Sequence, residues 1–443
     1  MKKLVIGPNG KLGSADLTKM KAEMIQLISQ ELENPAFMSD PNAPDIEELV
    51  ARAYIYLDLQ LPETMRAQLF RDVTDHLKGY GPIQPLLEDP SITEVMVNGS
   101  GSVYMERNGK LIKTKIAFES DHHLLKVIDR IILPLGRSID RDHPTVDARL
   151  PDGSRVNAVI PPVAIDGPSL TIRKFNNDKL DIEQLIELES LTPEMAEFLR
   201  ICVEARLNIV ISGGTGSGKT TLLNVLSSFI PEEERIVTIE DAAELALKQD
   251  HVVRLETQPA TIEGTGMVTV RDLVRNALRM RPDRIVVGEC RGGEAIDMLQ
   301  AMNTGHDGSL TTLHANSPRD GLSRLETMAL MSNLDLPLKV LREQIASAID
   351  VIVQQSRLQD GSRKVTSITE VAGMEGDTII MSDIFKFKQT GKGEDDKILG
   401  SLQPTGIRPM FQSRLEAAGL KLSNEIFGVG QFDDSMARGR RKR

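Results

Sequence analysis

The stretch from Ile209 to Thr221 constrains the fold of this chain more than any other. A short β-branched apolar run, Ile209 to Ile211, leads into a glycine-rich loop, and the loop opens into a helical pattern of leucines. Gly213 to Thr220 fits the pattern G-x-x-x-x-G-K-[ST], in which glycines let backbone N–H groups converge on phosphates without Cβ clashes. The positive end of the following helix points at the same phosphates. The stretch therefore predicts a nucleotide-binding strand, loop and helix.

The loop pattern also assigns roles to single residues. Lys219 is placed to reach the β- and γ-phosphates of a nucleoside triphosphate, and the hydroxyl of Thr220 is placed to hold Mg²⁺. The residues predicted to contact the nucleotide are Gly213, Gly214, Thr215, Gly216, Ser217, Gly218, Lys219, Thr220 and Thr221.

The composition narrows the range of partners and compartments. A net charge of −11 and an aromatic content of 3% argue against nucleic acid as the main partner, because phosphate contacts need basic surface and base stacking needs aromatic rings. No run approaches the roughly 18 apolar residues of a membrane span, and the start lacks the apolar stretch of a signal peptide. The only two cysteines, Cys202 and Cys290, lie in apolar contexts typical of packed thiols. These features predict a cytosolic chain without structural zinc.

A basic cluster stands at the end of the sequence. Its members are Arg438, Arg440, Arg441, Lys442 and Arg443. Such a cluster can bind anionic lipid or another protein. The interpretation that we favour is a disordered, solubilising tail over residues 428–443.

The first part of the chain is helical in pattern. A length of 443 residues corresponds to about two to three domains. Apolar residues at helical spacing predict a helix over 15–33, and two more helices, over 45–58 and 62–78, follow a proline-rich linker. Residues 1–78 are therefore predicted to form a helical appendage, which serves either docking or packing.

The pattern changes after this appendage. Residues 79–176 are predicted to form an α+β domain, and the acidic segment 177–192 is predicted to link it to the next domain. The predicted strands lie at 93–97, 103–106, 111–116, 149–150, 155–159 and 169–175, and the predicted helix at 122–133.

Residues 193–427 alternate strand and helix patterns. Strands at 209–211, 235–239, 284–287 and 309–313 are predicted to alternate with helices at 193–206, 269–280 and 294–303. This alternation predicts a mostly parallel sheet with the nucleotide at its carboxyl edge. A strand hairpin over 364–388, a mobile loop over 391–396 and a helix over 411–426 are predicted to complete the domain.

Carboxylates follow two of the predicted strands. Glu240 and Asp241 come directly after one strand, and Glu289 follows another. In a nucleoside triphosphatase one such group holds Mg²⁺ and another orients the attacking water. His314 ends a polar strand that begins after His306, at the place where a γ-phosphate sensor would lie, although a lone histidine is usually structural.

A row of arginines offers a further candidate. Arg271, Arg275 and Arg279 are spaced at i, i+4 and i+8 on a predicted helix whose other face is apolar. Such a row normally faces water. In an oligomeric motor it can instead present arginine to the nucleotide of a neighbouring subunit.

Taken together, the motifs resemble the type II and type IV secretion traffic ATPases, and most closely the pilus-assembly motor of tight-adherence (Tad/Flp) systems. The resemblance extends from about Gly79 to Phe427. The motifs that carry it are Gly79 to Ile83 and Ile92 to Gly99 (start of the amino-terminal domain), Gly213 to Thr220 (Walker A), Thr238 to Glu244 (aspartate box), Arg281 to Glu289 (Walker B) and Gly305 to His314 (histidine box).

This resemblance implies a fold and a function. It implies an α/β, RecA-like P-loop domain with a mostly parallel sheet, preceded by an α+β, PAS-like domain. It also implies a ring, usually a hexamer, that hydrolyses ATP with Mg²⁺ and works on an inner-membrane platform protein from the cytoplasmic face.

The resemblance also assigns roles to single residues. Glu240 would activate water, Glu289 would act at the Walker B position as a Mg²⁺ ligand, and His314 would lie near the γ-phosphate. Arg155 and Arg173 match amino-terminal-domain arginines that reach toward the nucleotide.

One departure from the family and several alternatives bear on this interpretation. The chain lacks the tetracysteine zinc module of many type II secretion motors, which favours the tight-adherence branch and predicts no metal other than Mg²⁺. A RecA-like, nucleic-acid-dependent motor is the main alternative, and the acidic charge balance disfavours it. A GTPase would need an Asn-Lys-x-Asp segment, which is missing. A scaffold that only binds nucleotide would lack the strand-end carboxylates. Whether the motor extends or retracts a pilus stays open.

Overall fold

The computed structural model describes residues 14–32, 44–107, 109–175, 180–260, 265–332, 336–393 and 397–427. The chain divides into two compact units, Met1–Asn176 and Asn177–Arg443. The predicted basic tail lies outside the described residues. Among the helices that the structure describes, none combines the length and the apolar character that crossing a membrane requires.

In the part of the chain that the structure describes, three helices open the first unit. They are α1 (Ser14–Leu32), α2 (Ile46–Tyr56) and α3 (Glu63–Leu77). Their apolar positions recur at helical spacing and meet in a small core that includes Met24, Leu49 and Val73. Asp45 caps α2 by accepting the backbone N–H of Glu48, which satisfies one of the free donors at the helix start.

A six-stranded antiparallel sheet forms the rest of the first unit. Its order is β3-β2-β1-β6-β5-β4, and the amphipathic helix α5 packs its apolar side into the same core as the sheet. The predicted strand over 111–116 is shorter and earlier in the structure. The elements are α4 (Gln84–Glu88), β1 (Ile92–Asn98), β2 (Val103–Arg107), β3 (Lys110–Lys113), α5 (Asp121–Ile132), β4 (Thr145–Arg149), β5 (Arg155–Val159) and β6 (Ser169–Arg173).

The second unit is built on a nine-stranded sheet in the order β15-β14-β13-β12-β7-β11-β10-β8-β9. The strands from β12 to β9 in this order pair in parallel, and β13, β14 and β15 add antiparallel strands. The predicted mostly parallel sheet is therefore confirmed. The strands are β7 (Ile209–Gly213), β8 (Ile236–Glu240), β9 (Val252–Glu256), β10 (Arg284–Val287), β11 (Leu310–His314), β12 (Val351–Arg357), β13 (Arg363–Glu375), β14 (Thr378–Lys392) and β15 (Ile398–Pro404).

Helices cover both faces of this sheet. Side chains alternate along β7, so that Ile209 and Ile211 enter one core while Val210 enters the other. Every residue of β7 is buried, which explains why the strand is a continuous apolar run. The helices are α6 (Ile182–Glu187), α7 (Pro193–Glu204), α8 (Lys219–Ser227), α9 (Val270–Ala277), α10 (Glu294–Asn303), α11 (Pro318–Leu330), α12 (Leu338–Ala348) and α13 (Gln412–Ala417).

Three expectations need correction. Part of the predicted linker forms α6, which a capping box between Asp181 and Gln184 begins and a buried Leu185 anchors. The predicted helix over 411–426 ends at Ala417, because Gly419 adopts a φ of 77° that a helix cannot continue through. The predicted loop over 391–396 begins inside β14, and its residues 394–396 lie outside the described residues.

Candidate functional site

The glycine-rich loop lies at the carboxyl edge of the parallel strands. It leaves the sheet at Gly213, the last residue of β7, which is in register with His314 on β11 and with Gln355 on β12. One strand further along, Val287 at the end of β10 is in register with Ile239, the residue before Glu240. The predicted loop, histidine and carboxylates are therefore brought to one edge of one sheet.

The conformation of the loop explains its glycines. Gly216 and Gly218 have φ values of 68° and 98°, in the left-handed region that favours glycine. A Cβ on Gly213 would lie 2.3 Å from the carbonyl oxygen of Gln355, so this position admits no side chain. Among the described residues no side chain caps the start of α8, so the first backbone N–H groups of this helix can donate to an anion.

Lys219 begins α8 and points back over the loop. Its Nζ donates a hydrogen bond to the carbonyl oxygen of Gly214 at 3.1 Å. Burial lowers the pKa of Lys219, and the nearby carboxylate of Glu289 acts in the opposite direction. The lysine of the loop and the carboxylate after β10 therefore lie within electrostatic reach of each other.

Glu240 is buried at the end of β8, with 3% of its surface exposed. Its Oε1 accepts the backbone N–H groups of Glu244 at 2.9 Å and Leu245 at 3.0 Å. Its Oε2 is buried and has no hydrogen-bond partner among the residues that the structure describes. Burial raises the pKa of Glu240, although the two N–H bonds oppose this shift. One oxygen of the carboxyl group thus fixes its orientation, and the other remains available.

Glu289 and Asp241 are joined by an arginine that the sequence interpretation missed. Arg291 contacts Glu289 Oε2 through Nη2 at 2.7 Å and Asp241 Oδ2 through Nη1 at 2.9 Å. The three residues lie in the segments that follow two adjacent strands, β8 and β10. Arg291 therefore fixes the position of Glu289 beside the loop.

The oxygen-rich edge fits a bound magnesium nucleotide. Thr220 offers a hydroxyl, and Glu240 and Glu289 offer carboxylates, which are the hard oxygen ligands that Mg²⁺ prefers. The buried Oε2 of Glu240 and the buried hydroxyl of Ser217 lack hydrogen-bond partners in the described part of the chain. Polar atoms that are buried without partners are uncommon in folded proteins and indicate a place for a ligand or water.

Two further arginines, on β12 and β13, reach the loop. Arg363 Nε donates to the carbonyl oxygen of Gly216 at 2.9 Å. A Cβ built on Gly216 would lie 3.8 Å from Nη1 of Arg357. These arginines begin β13 and end β12, more than 130 residues after the loop, and no local pattern in the sequence marks them.

The two histidines around β11 separate in the structure. His314 is the last residue of β11 and lies at the loop edge, whereas His306 precedes the amino end of the same strand. The Nδ1 of His306 is buried without a partner in the described residues. Only His314 is therefore placed near the candidate site.

Arg155 and Arg173 lie in the first unit and are direct neighbours there. They face each other across β5 and β6, and Arg149 on β4 continues the same row. Both Arg155 and Arg173 are exposed. Two guanidinium groups side by side on a sheet surface can bind one phosphate together.

The arginine row of the predicted helix is arranged differently from the expectation. The helix α9 ends at Ala277, so Arg279 lies beyond it. Arg271 and Arg275 share one carboxylate, because their Nε atoms contact the two oxygens of Asp297 at 2.7 Å and 2.8 Å. The Asp297 side chain is 8% exposed, and this pair of contacts fastens α9 to α10.

We expect Arg271→Ala to destabilise the second unit. The change removes the Nε contact to Asp297 and an Nη1 contact to the carbonyl oxygen of Ser332, so that Asp297 keeps a single arginine. The expected loss is about 1–3 kcal/mol, measured as a lower urea midpoint. Arg279→Ala, at an exposed position, is the matched control and should change stability by less than about 0.5 kcal/mol.

A double variant tests whether the charge of Asp297 causes the loss of stability. Adding Asp297→Asn to Arg271→Ala removes the under-compensated charge and should recover part of the lost stability. An equal loss in the Arg271 and Arg279 variants would contradict this role of Asp297.

The comparisons with known proteins identify the family of this chain. The family model "Type II/IV secretion system protein" matches residues 76–382, more than half of the 443 residues. The chain belongs to this family of type II/IV secretion system proteins. The match confirms the resemblance to secretion traffic ATPases, whereas the place in the tight-adherence branch stays a prediction.

The alignments with named relatives cover most of the length of each relative. A putative conjugal transfer protein of Mycobacterium tuberculosis is 39% identical over 312 residues, which are 69% of this chain and 88% of that protein. The type IV secretion system protein PtlH of Bordetella pertussis is 38% identical over 314 residues, 64% of this chain and 91% of its own. The solved VirB11 ATPase of the Brucella suis type IV secretion system is 33% identical, with 67% of this chain and 94% of that chain covered and a TM-score of 0.36.

Proposed function

We propose that this chain is an ATP-hydrolysing motor of a secretion or pilus-assembly system. One observation carries the proposal. The glycine-rich loop, Lys219, Glu289 and Glu240 converge at the carboxyl edge of one parallel sheet, in a chain of the type II/IV secretion family. Open parallel sheets bind their ligands at this edge. We further propose that the second unit is a RecA-like ATPase domain and that the sheet of the first unit is PAS-like.

Each group of residues at the site has a distinct proposed role in ATP hydrolysis. The loop N–H groups and the start of α8 bind the phosphates, and Lys219 neutralises charge on the β- and γ-phosphates. Thr220 and Glu289 are the residues that would hold Mg²⁺, which supplies charge neutralisation when bound. Glu240 orients the attacking water and accepts its proton. The raised pKa of Glu240 suits this role, because a base works best when its pKa approaches the working pH.

The cellular role that we propose is assembly of a tight-adherence type IV pilus, or secretion of its subunits, by a ring that is usually a hexamer. The ring would act on an inner-membrane platform from the cytoplasmic side and associate with the membrane through that partner. Two cysteines in the whole chain cannot form the tetracysteine zinc module of many type II motors, which supports this branch. The alternative is a RecA-like motor driven by nucleic acid.

A combined assay tests the function and its alternative. ATP hydrolysis and molecular mass are measured in one buffer, with and without nucleotide, and hydrolysis is repeated with single- and double-stranded DNA. We expect magnesium-dependent hydrolysis, a mass near six chains and no stimulation by DNA. Hydrolysis that requires DNA would favour the alternative, and absence of hydrolysis in the assembled ring would overturn the proposal.

A mixing experiment assigns the arginines. We expect a Lys219→Ala chain to regain activity when it is assembled with an Arg271→Ala or an Arg275→Ala chain, each inactive alone, if that arginine serves a neighbouring subunit. Chains with Arg155→Ala or Arg173→Ala should give no recovery, because we propose that these arginines serve the nucleotide of their own chain. Recovery with Arg155→Ala would overturn that assignment.

A further inference from the structure

A cluster of three metal-ligating side chains lies in the first unit, within a single compact body. His76 is at the end of α3, Glu119 precedes α5, and His123 is in the first turn of α5. One ligand atom from each residue lies within 4.8 Å of the other two. The imidazole rings of His76 and His123 are 4.2 Å apart between centroids, and His76 Nδ1 is 3.7 Å from Glu119 Oε1.

The buried histidine of this cluster lacks partners. His123 is 7% exposed, and both of its ring nitrogens are buried without a hydrogen bond to any residue that the structure describes. The Nδ1 of His76 is likewise buried without a hydrogen bond to any described residue. A neutral imidazole carries one donor and one acceptor, and burying both without partners is costly. A ligand that accepts an imidazole lone pair would remove part of this cost.

We propose that His76, Glu119 and His123 bind a zinc ion. Two imidazoles and one carboxylate are a common zinc ligand set, with metal–ligand distances of about 2.0–2.2 Å. Tetrahedral geometry then requires ligand atoms about 3.3–3.5 Å apart, so the ligand atoms need to approach one another by at most about 1.5 Å. The Glu119 side chain is 59% exposed, which leaves a path for the ion and a fourth position for water.

The pKa values of the two histidines and the charges around them bear on metal binding. Burial lowers the pKa of His76 to about 4, with His123 adding to the effect, and burial also lowers the pKa of His123. Burial thus acts toward the neutral imidazole, which is the form that binds metal. Three cations face the cluster. They are Lys21 on α1, with its Nζ 3.6 Å from Glu119 Oε1, Arg130 on α5, which donates to the carbonyl oxygens of His76 and Gly79, and Lys126 on α5.

Lys21 is the group that competes with the ion, because it contacts the same carboxylate oxygen. Zinc binding would transfer Glu119 from Lys21 to the metal and fasten the end of α3 to the start of α5. The ion would thus join the helical part of this unit to its sheet-bearing part. This site differs from the expectation that no metal other than Mg²⁺ binds.

Zinc titration tests the site directly. The full-length chain, without an affinity tag or nucleotide, is stripped of metal and titrated with Zn²⁺ against a chromophoric chelator. We expect one tight equivalent per chain and a higher melting temperature with zinc than without. His76→Gln and Glu119→Gln should each weaken binding about 100-fold or more and remove the thermal shift, since even losing a residue that supports a ligand costs 10–100-fold.

Two further variants sharpen the result. His122→Gln, at the exposed neighbour of His123, is the matched control and should bind zinc like the wild type. Lys21→Met removes the competitor and should tighten binding. Glu119 is exposed, so its substitution should leave the fold intact, which circular dichroism checks. Absence of a tight equivalent in the wild type, or unchanged binding in both the His76 and Glu119 variants, would overturn the proposal.

Discussion

Lys219→Ala is expected to abolish ATP hydrolysis, with a loss of roughly a hundred-fold or more in turnover. Lys219 is half-buried at the start of α8, beside the loop carbonyl of Gly214 and within reach of Glu289. Without Lys219, charge that develops on the γ-phosphate loses its main cationic partner. Steady-state release of phosphate measures the effect.

The control for this variant is Lys248→Ala. Lys248 lies in the same unit at an exposed position, and its removal should leave turnover within about two-fold of the wild type, as for most surface substitutions. Wild-type turnover in Lys219→Ala would contradict the assignment of the loop. Loss of activity in both variants would indicate that the change in net charge, and not the loss of Lys219 from the loop, lowers turnover.

Glu289→Gln is expected to retain ATP binding and to lower turnover by a factor on the order of 10²–10³. Glutamine keeps the shape of the side chain and loses the charge. The change therefore removes the proposed Mg²⁺ ligand and the ion pair with Arg291 while the loop stays intact. Nucleotide affinity from a fluorescent analogue and turnover from phosphate release are measured on the same sample. Glu240→Gln should behave in the same way, because its free oxygen would no longer accept a proton.

Two control variants test whether the loss of turnover is specific to Glu240 and Glu289. Glu256→Gln lies in register with Glu240 on the next strand, is exposed, and should keep near wild-type turnover. Asp241→Asn weakens the hold on Arg291 without changing Glu289, and should cost much less than Glu289→Gln. If Glu289→Gln lost ATP binding altogether, the residue would have a structural role instead.

The sequence predicted the edge of the sheet well because strand ends are local features. An apolar run followed by Gly213, Glu240 or Glu289 can be read directly, and parallel pairing brings such ends to one edge. The same logic failed for Arg291, whose contact with Asp241 spans two strands, and for Arg363, which reaches Gly216 from 147 residues away. Contacts between distant segments depend on register and packing, which no short window of sequence contains.

The same contrast between local and long-range features explains the missed helix α6, the arginine row and the histidine pair. The helix α6 was missed because a six-residue helix has too few apolar positions for a clear period, although its capping box was visible in the sequence. The arginine row was predicted from spacing, but the buried Asp297 that binds two of its members comes from another helix. His76 and His123 are 47 residues apart, and only the fold brings their rings together.

The alternation of side chains along β7 limits the lengths that this segment can have in related chains. Ile209 and Ile211 fill one core and Val210 fills the other, so inserting or deleting one residue would turn each side chain toward the wrong face. The same change would move Gly213 out of register with His314 and Gln355, at a position where no Cβ fits. Substitutions among apolar residues of similar size can be accommodated in β7, whereas a change in its length cannot. In descendants of this chain, insertions should therefore collect in the surface connections and leave the spacing from Ile209 to Lys219 unaltered.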